Sequence, residues 1–158
     1  DVYKRQDHFF AHMEEIDLCW RLKANSYKLL AVPESEVLHL GGGTLPSGNH
    51  KKVFLNVRNS LLTLYKNLPG KNLFSILILR MLLDGVAALK FLFQGEPKSF
   101  TGIIKAHLEF YKTKKHYKDQ RRSTATFVSP YSLSGYYRRS IIVDYYLRGK
   151  RKFSEIKL

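Results

Sequence analysis

The chain has 158 residues, enough to bury one modest core, and its 44% apolar content excludes wholesale disorder. Its single cysteine, Cys19, excludes an intrachain disulfide and suits a reducing compartment. The net charge of +14 sits at the back: residues 1–7 carry none, residues 8–68 carry +2 and residues 69–158 carry +12, which points to an anionic surface as partner.

Residues 1–6, Asp1 to Gln6, translate under one codon choice a transposon end used to prepare sequencing libraries. They are expected to be an adapter read in frame, outside the fold. No apolar run of the secretory type opens the chain. From His8 to Ala24, apolar residues recur at spacings of three and four, predicting a helix that stops at Asn25 and Ser26. Tyr27 to Val32, closed by Pro33, and Val37 to Leu40 read as buried strands or extended segments. Gly41, Gly42 and Gly43 form a loop. Asn49 is placed to cap a second helix with the stripe Val53, Val57, Leu61, Leu64 and Leu68, ending at Pro69-Gly70.

Leu73 to Phe93 is the most hydrophobic segment, interrupted by Arg80, Asp84 and Lys90. A membrane span needs about twenty largely uncharged residues, and each mid-segment charge costs about 2.5–3.5 kcal/mol on insertion scales. The segment therefore reads as a helix in the membrane interface or packed on a neighbour, with Arg80 and Asp84 spaced to pair. Phe100 to Arg122 reads as a basic helix whose Ile103, Ile104, His107, Leu108 and Tyr111 face one way. Ser123 to Ser134 reads as a loop, and Tyr136 to Lys157 interleaves aromatic and aliphatic residues with Arg and Lys.

One motif carries chemistry: Phe9-Phe10-Ala11-His12-Met13-Glu14-Glu15-Ile16-Asp17-Leu18-Cys19-Trp20-Arg21. Two aromatics, an acidic pair, a spacer, then Asp-Leu and Arg resemble bacterial family-2 glycosyltransferases. Val32-Pro33, Val37 to Thr44, Arg58-Asn59 and Lys66-Asn67 resemble the segments that follow in that family. The resemblance covers about Asp7 to Pro69. It implies an α/β fold, in which residues 7–69 are the C-terminal part of a GT-A (nucleotide-diphospho-sugar transferase) domain. Residues 70–158 would be a mainly helical, basic, membrane-associating extension.

The resemblance further implies inverting transfer from a nucleotide-sugar donor to a saccharide or lipid-linked saccharide acceptor in cell-envelope or surface polysaccharide assembly. The second acid of the pair, Glu15 where relatives usually have Asp, is then the general base. Its chemistry is to take a proton from the acceptor hydroxyl, a contribution of about 10²–10⁴-fold. Glu14, its neighbour, is a second catalytic candidate, and both stand at a helix start where the dipole favours carboxylates.

Asp17 and Arg21 are candidates for binding the acceptor or shaping the site; a solvated helix pair of the same spacing is worth only about 0.3–0.5 kcal/mol. Gly41, Gly42, Gly43 and Arg58 are substrate-binding candidates, and His39, entering the loop, is a candidate metal or diphosphate ligand. A divalent metal, Mg or Mn, would neutralise the leaving diphosphate. Its main Asp-x-Asp ligands would lie upstream and do not occur in this sequence, so the chain by itself is expected to be inactive.

A competing reading is a basic binding module without catalysis, on membrane or nucleic acid. No nucleic-acid motif is visible, so nucleic acid is not an expected partner; the anionic inner face of the cell membrane is.

Overall fold

The computed structural model describes residues 9–38, 49–124, 137 and 139–156. These form helices α1 (Glu14–Ala24), α2 (His50–Asn67), α3 (Gly70–Phe93) and α4 (Pro97–Thr113). A 3-10 turn (Lys114–Tyr117) leads into α5 (Lys118–Thr124); α6 (Ile141–Tyr146) and a short turn (Phe153–Glu155) follow later.

The described residues contain no strand, which overturns the expected α/β GT-A architecture. Tyr27 to Leu38 runs without ladder partners and leaves its apolar side chains in solvent, with Leu30 85% exposed. A strand exists only against another strand, and no described segment forms a ladder with this one. His39 and Leu40 of the second expected strand lie outside the described residues, as do Gly41, Gly42 and Gly43.

The centre of the fold is α2, packed by α1, α3, α4 and α5. Asn49 caps it, its side chain accepting from the Lys51 amide at 2.8 Å. The expected apolar stripe holds in part: Val57, Leu61 and Leu68 are buried, but so are Asn59, Ser60, Thr63, Lys66 and Asn67. Leu68 and Pro69 turn the chain by the extended conformation that precedes proline. Arg121 of α5 donates to the Tyr65 carbonyl and, at 2.7 Å, to that of Leu68, satisfying the C-terminal end of α2.

Helices α3 and α4 form a hairpin. Gly95, at φ 76°, lets the Glu96 amide reach back to the Phe91 carbonyl at 2.9 Å, a turn whose left-handed residue favours glycine. Pro97 then starts α4 where no helical amide partner is needed.

The buried face of α4 is Ser99, Gly102, Ile103, Ala106 and Phe110, so of the expected face only Ile103 is buried; Ile104 and Leu108 are exposed, and Tyr111, partly exposed, donates its hydroxyl to Met81 Sδ of α3 at 3.5 Å. Small Gly102 and Ala106 let α4 close on α2, which selects this face over the bulkier one. Asp84, buried on α3, accepts from Arg80 at 2.9 Å and lies 3.2 Å from His107 of α4, so the expected Arg80–Asp84 pair exists and is extended to the neighbouring helix. Phe9, Val57, Leu61, Leu62, Ile103, Ala106 and Phe110 meet in one core.

Among the described residues no helix is long and apolar enough to cross a membrane. Farther along, Arg148 and Lys150 converge on Asp144 at 2.6 and 3.5 Å, together with the Tyr137 hydroxyl.

Candidate functional site

The acid motif begins as a loop. Helical periodicity from His8 onward gives way in the structure to an irregular segment, Phe9 to Met13, before α1 starts at Glu14. Phe10, His12 and Met13 all have left-handed φ, at 59°, 69° and 69°. Such conformations cost non-glycine residues roughly 1–2 kcal/mol each. Asn59 holds them there: its side-chain amide donates to the carbonyls of Phe9, Ala11 and His12 at 2.9, 2.8 and 2.9 Å. Carbonyls committed to Asn59 cannot serve a helix, which explains why the motif does not coil until Glu14.

Arg58 locks the clamp from the other side. Its Nε donates to the Asn59 side-chain oxygen at 2.9 Å, and its guanidinium lies 5.3 Å from the Phe54 ring centre. Burial lowers the Arg58 pKa, opposed by Tyr117 and Glu109.

Below the loop, Asp17 is fully enclosed. Lys66 Nζ donates to both of its oxygens at 2.8 and 2.9 Å, Arg21 Nε donates at 2.9 Å and the Asn67 side-chain amide at 2.9 Å. Lys66 is itself buried, with its ammonium 5.1 Å above the Phe9 ring and 5.2 Å from that of Tyr117. Burial lowers the Lys66 pKa while Asp17 opposes the shift, and burial pushes the Tyr117 phenol up to about 12.

The structure therefore separates the motif's carboxylates by environment. Asp17 and Arg21 are buried together, tying α1 to α2. Glu15, at the second position of α1, is exposed to solvent. Glu14 is half-buried: its Oε2 is enclosed and, among the described residues, meets no hydrogen-bond partner, and the same holds for His12 Nε2. Cys19 is exposed.

Candidate residues Glu14, Glu15, Asp17, Arg21 and Arg58 are thus brought to the junction of α1 and α2, whereas His39 and the triple glycine are outside the described residues. Asn59, Lys66 and Asn67 enter the sequence reading only through the family resemblance. Their signal was present nonetheless: Asn59 and Lys66 stand two helical turns apart, in register with Leu55 and Leu62.

Among the described residues no three His, Cys, Asp or Glu side chains converge on one point. The Asp17 oxygens are already occupied by cationic and amide donors, so these residues do not make a metal site. Comparison with known protein families, with curated proteins and with solved structures gave no match.

Proposed function

We propose that this chain carries the base-bearing part of an inverting glycosyltransferase, with Glu15 as general base. What supports the reading most is the contrast within the motif: Asp17 is consumed by an internal ion pair, while Glu15 stands free to solvent at the start of a helix held by the Asn59 clamp. A base must reach its substrate, and its neighbours must not move when it does.

In the proposed reaction the acceptor hydroxyl oxygen bonds to the anomeric carbon, and its proton passes to the Glu15 carboxylate. The bond from that carbon to the nucleoside diphosphate breaks, leaving the sugar inverted. Asp17, Arg21, Lys66 and Asn59 act as positioning residues. The acceptor is a saccharide or lipid-linked saccharide.

Attachment to the inner membrane face is part of the same proposal. Its support is α3, which is apolar on nearly every side yet leaves Phe74, Leu82, Val86 and Phe93 exposed.

The test is Glu15→Gln in the enzyme that also carries a donor-binding part. Turnover is expected to fall about a hundredfold or more with donor affinity unchanged, because proton removal is a transition-state event. Unchanged turnover would remove Glu15 from the role and point to Glu14.

A further inference from the structure

The start of α2 and the first turns of α4 flank an open cleft of about 500 Å³. Its cationic lining comes from two helices: His50 and Lys51 from α2, Lys98 and Lys105 from α4. No acidic side chain is among its lining residues. Glu96 borders an adjoining recess, where its carboxylate accepts the Ser99 hydroxyl at 2.9 Å.

The cleft exists because α4 comes close to α2 at Gly102, where even a Cβ would stand 3.4 Å from the His50 carbonyl oxygen. Phe54 and Gly102 supply an apolar floor, and the Lys51 ammonium is kept at the rim by the Phe10 ring, 4.8 Å away. Helix α2 has no acid in its first turn, so its start adds to the positive potential, whereas at α4 the Glu96 carboxylate stands at the helix start and offsets part of it.

Three lysine ammoniums lining one cleft repel each other, and an anion relieves that repulsion. We propose that this cleft binds a phosphate dianion on an organic carrier. Lysine ammoniums serve phosphate as point charges, and their number here exceeds what one carboxylate neutralises. The volume falls in the range of small-ligand sites and admits a group attached to the phosphate, which the Phe54 floor would contact.

Two sources share this chemistry, a lipid headgroup and a free phosphate ester. The exposed apolar strip of α3 ends at Phe93, and the short turn after it delivers Lys98 to the cleft, so a lipid could present its headgroup there. The site is independent of the transferase reading: none of its cationic residues belongs to the acid motif, and binding is measured without sugar transfer.

The experiment titrates inorganic diphosphate into the whole chain by calorimetry at low salt. In parallel, the chain is sedimented with phosphatidylcholine vesicles containing phosphatidic acid or, at matched surface charge, phosphatidylglycerol. Both arms compare Lys98→Gln/Lys105→Gln with the control Lys28→Gln/Lys152→Gln, whose exposed lysines lie beyond the cleft. Circular dichroism verifies that each variant keeps its helices.

Saturable diphosphate binding, weakened about tenfold or more in the first variant and within twofold of wild type in the control, supports the site and a free phosphate source. Selective capture by phosphatidic acid vesicles, lost in the first variant alone, supports it with the headgroup as source. Equal losses in both variants, or absence of diphosphate binding together with no preference for phosphatidic acid, would overturn it.

Discussion

Lys66 Nζ bridges both oxygens of Asp17, at 2.8 and 2.9 Å, joining two side chains that are each almost wholly enclosed. The pair links α1 to α2, and Arg21 and Asn67 complete the ring of donors around the carboxylate. Removing one member of such a buried set strands the charge of the other. Asp17→Asn and Lys66→Met are each expected to cost about 3–5 kcal/mol in denaturant unfolding, the double variant costing less than the sum. Losses below about 1 kcal/mol would mean that the ion pair is not buried in solution.

How much of this was legible in the sequence differs by element. The helical character of α2, α3 and α4 was written in apolar spacing, because local periodicity decides it. Asp17 and Arg21 were spaced for an ordinary surface pair. Only Lys66, 49 residues from Asp17, converts that pair into a buried network, and local spacing carries no trace of a partner that distant. The same limit hid the loop from Phe9 to Met13: Phe9, Phe10 and Met13 have helical spacing, but Asn59 takes the carbonyls a helix would use. Tyr27 to Val32 failed for another reason. A short apolar run reads as a strand by composition, and composition does not supply the partner strand.

Asn59 makes a second prediction. Asn59→Ala removes the donor shared by three carbonyls and leaves left-handed Phe10, His12 and Met13 without their restraint. The expected cost is about 2–3 kcal/mol, since buried acceptors left unmatched are expensive. Amide exchange should accelerate in residues 9–13 and at the start of α1 more than in α4. Uniform acceleration across all helices would show that Asn59 stabilises the bundle and not the loop.

Tyr117 predicts an alkaline dependence. Its phenol is pushed up to about 12 in the folded chain, chiefly by burial, against an ordinary value of 10.0. A raised folded-state value means that the folded chain holds this proton more tightly than the unfolded one. The resulting stability is fully present below about pH 10 and is lost as pH rises through 12. Lys66, Arg58 and Arg121, whose values are lowered by burial, act with the opposite sign, so the comparison must isolate the phenol. The difference in unfolding free energy between wild type and Tyr117→Phe is expected to shift in favour of the variant between pH 10 and 12. A pH-independent difference over that window would show that the phenol is hydrated in the folded chain.

The last prediction concerns the membrane. Helix α3 packs on α2 and α4 through Leu77, Met81, Ala88 and Phe91, and its opposite side exposes Leu79, Leu82, Val86 and Phe93. That surface favours the bilayer interface, yet full insertion would have to separate Asp84 on α3 from His107 on α4 and carry its charge into hydrocarbon. Exposed lysines nearby, Lys112, Lys115 and Lys118 among them, add roughly 1 kcal/mol for each that approaches anionic lipid. Only some can face one plane at once, so the electrostatic part stays moderate and sensitive to salt. The protein is therefore expected to leave membranes in high salt or alkaline carbonate. Leu82→Glu/Val86→Glu should reduce retention through the apolar face, and Lys112→Gln/Lys115→Gln through charge. Extraction by detergent alone, with neither salt nor carbonate effective, would mean that α3 does enter the bilayer and that its packing on α4 is given up there.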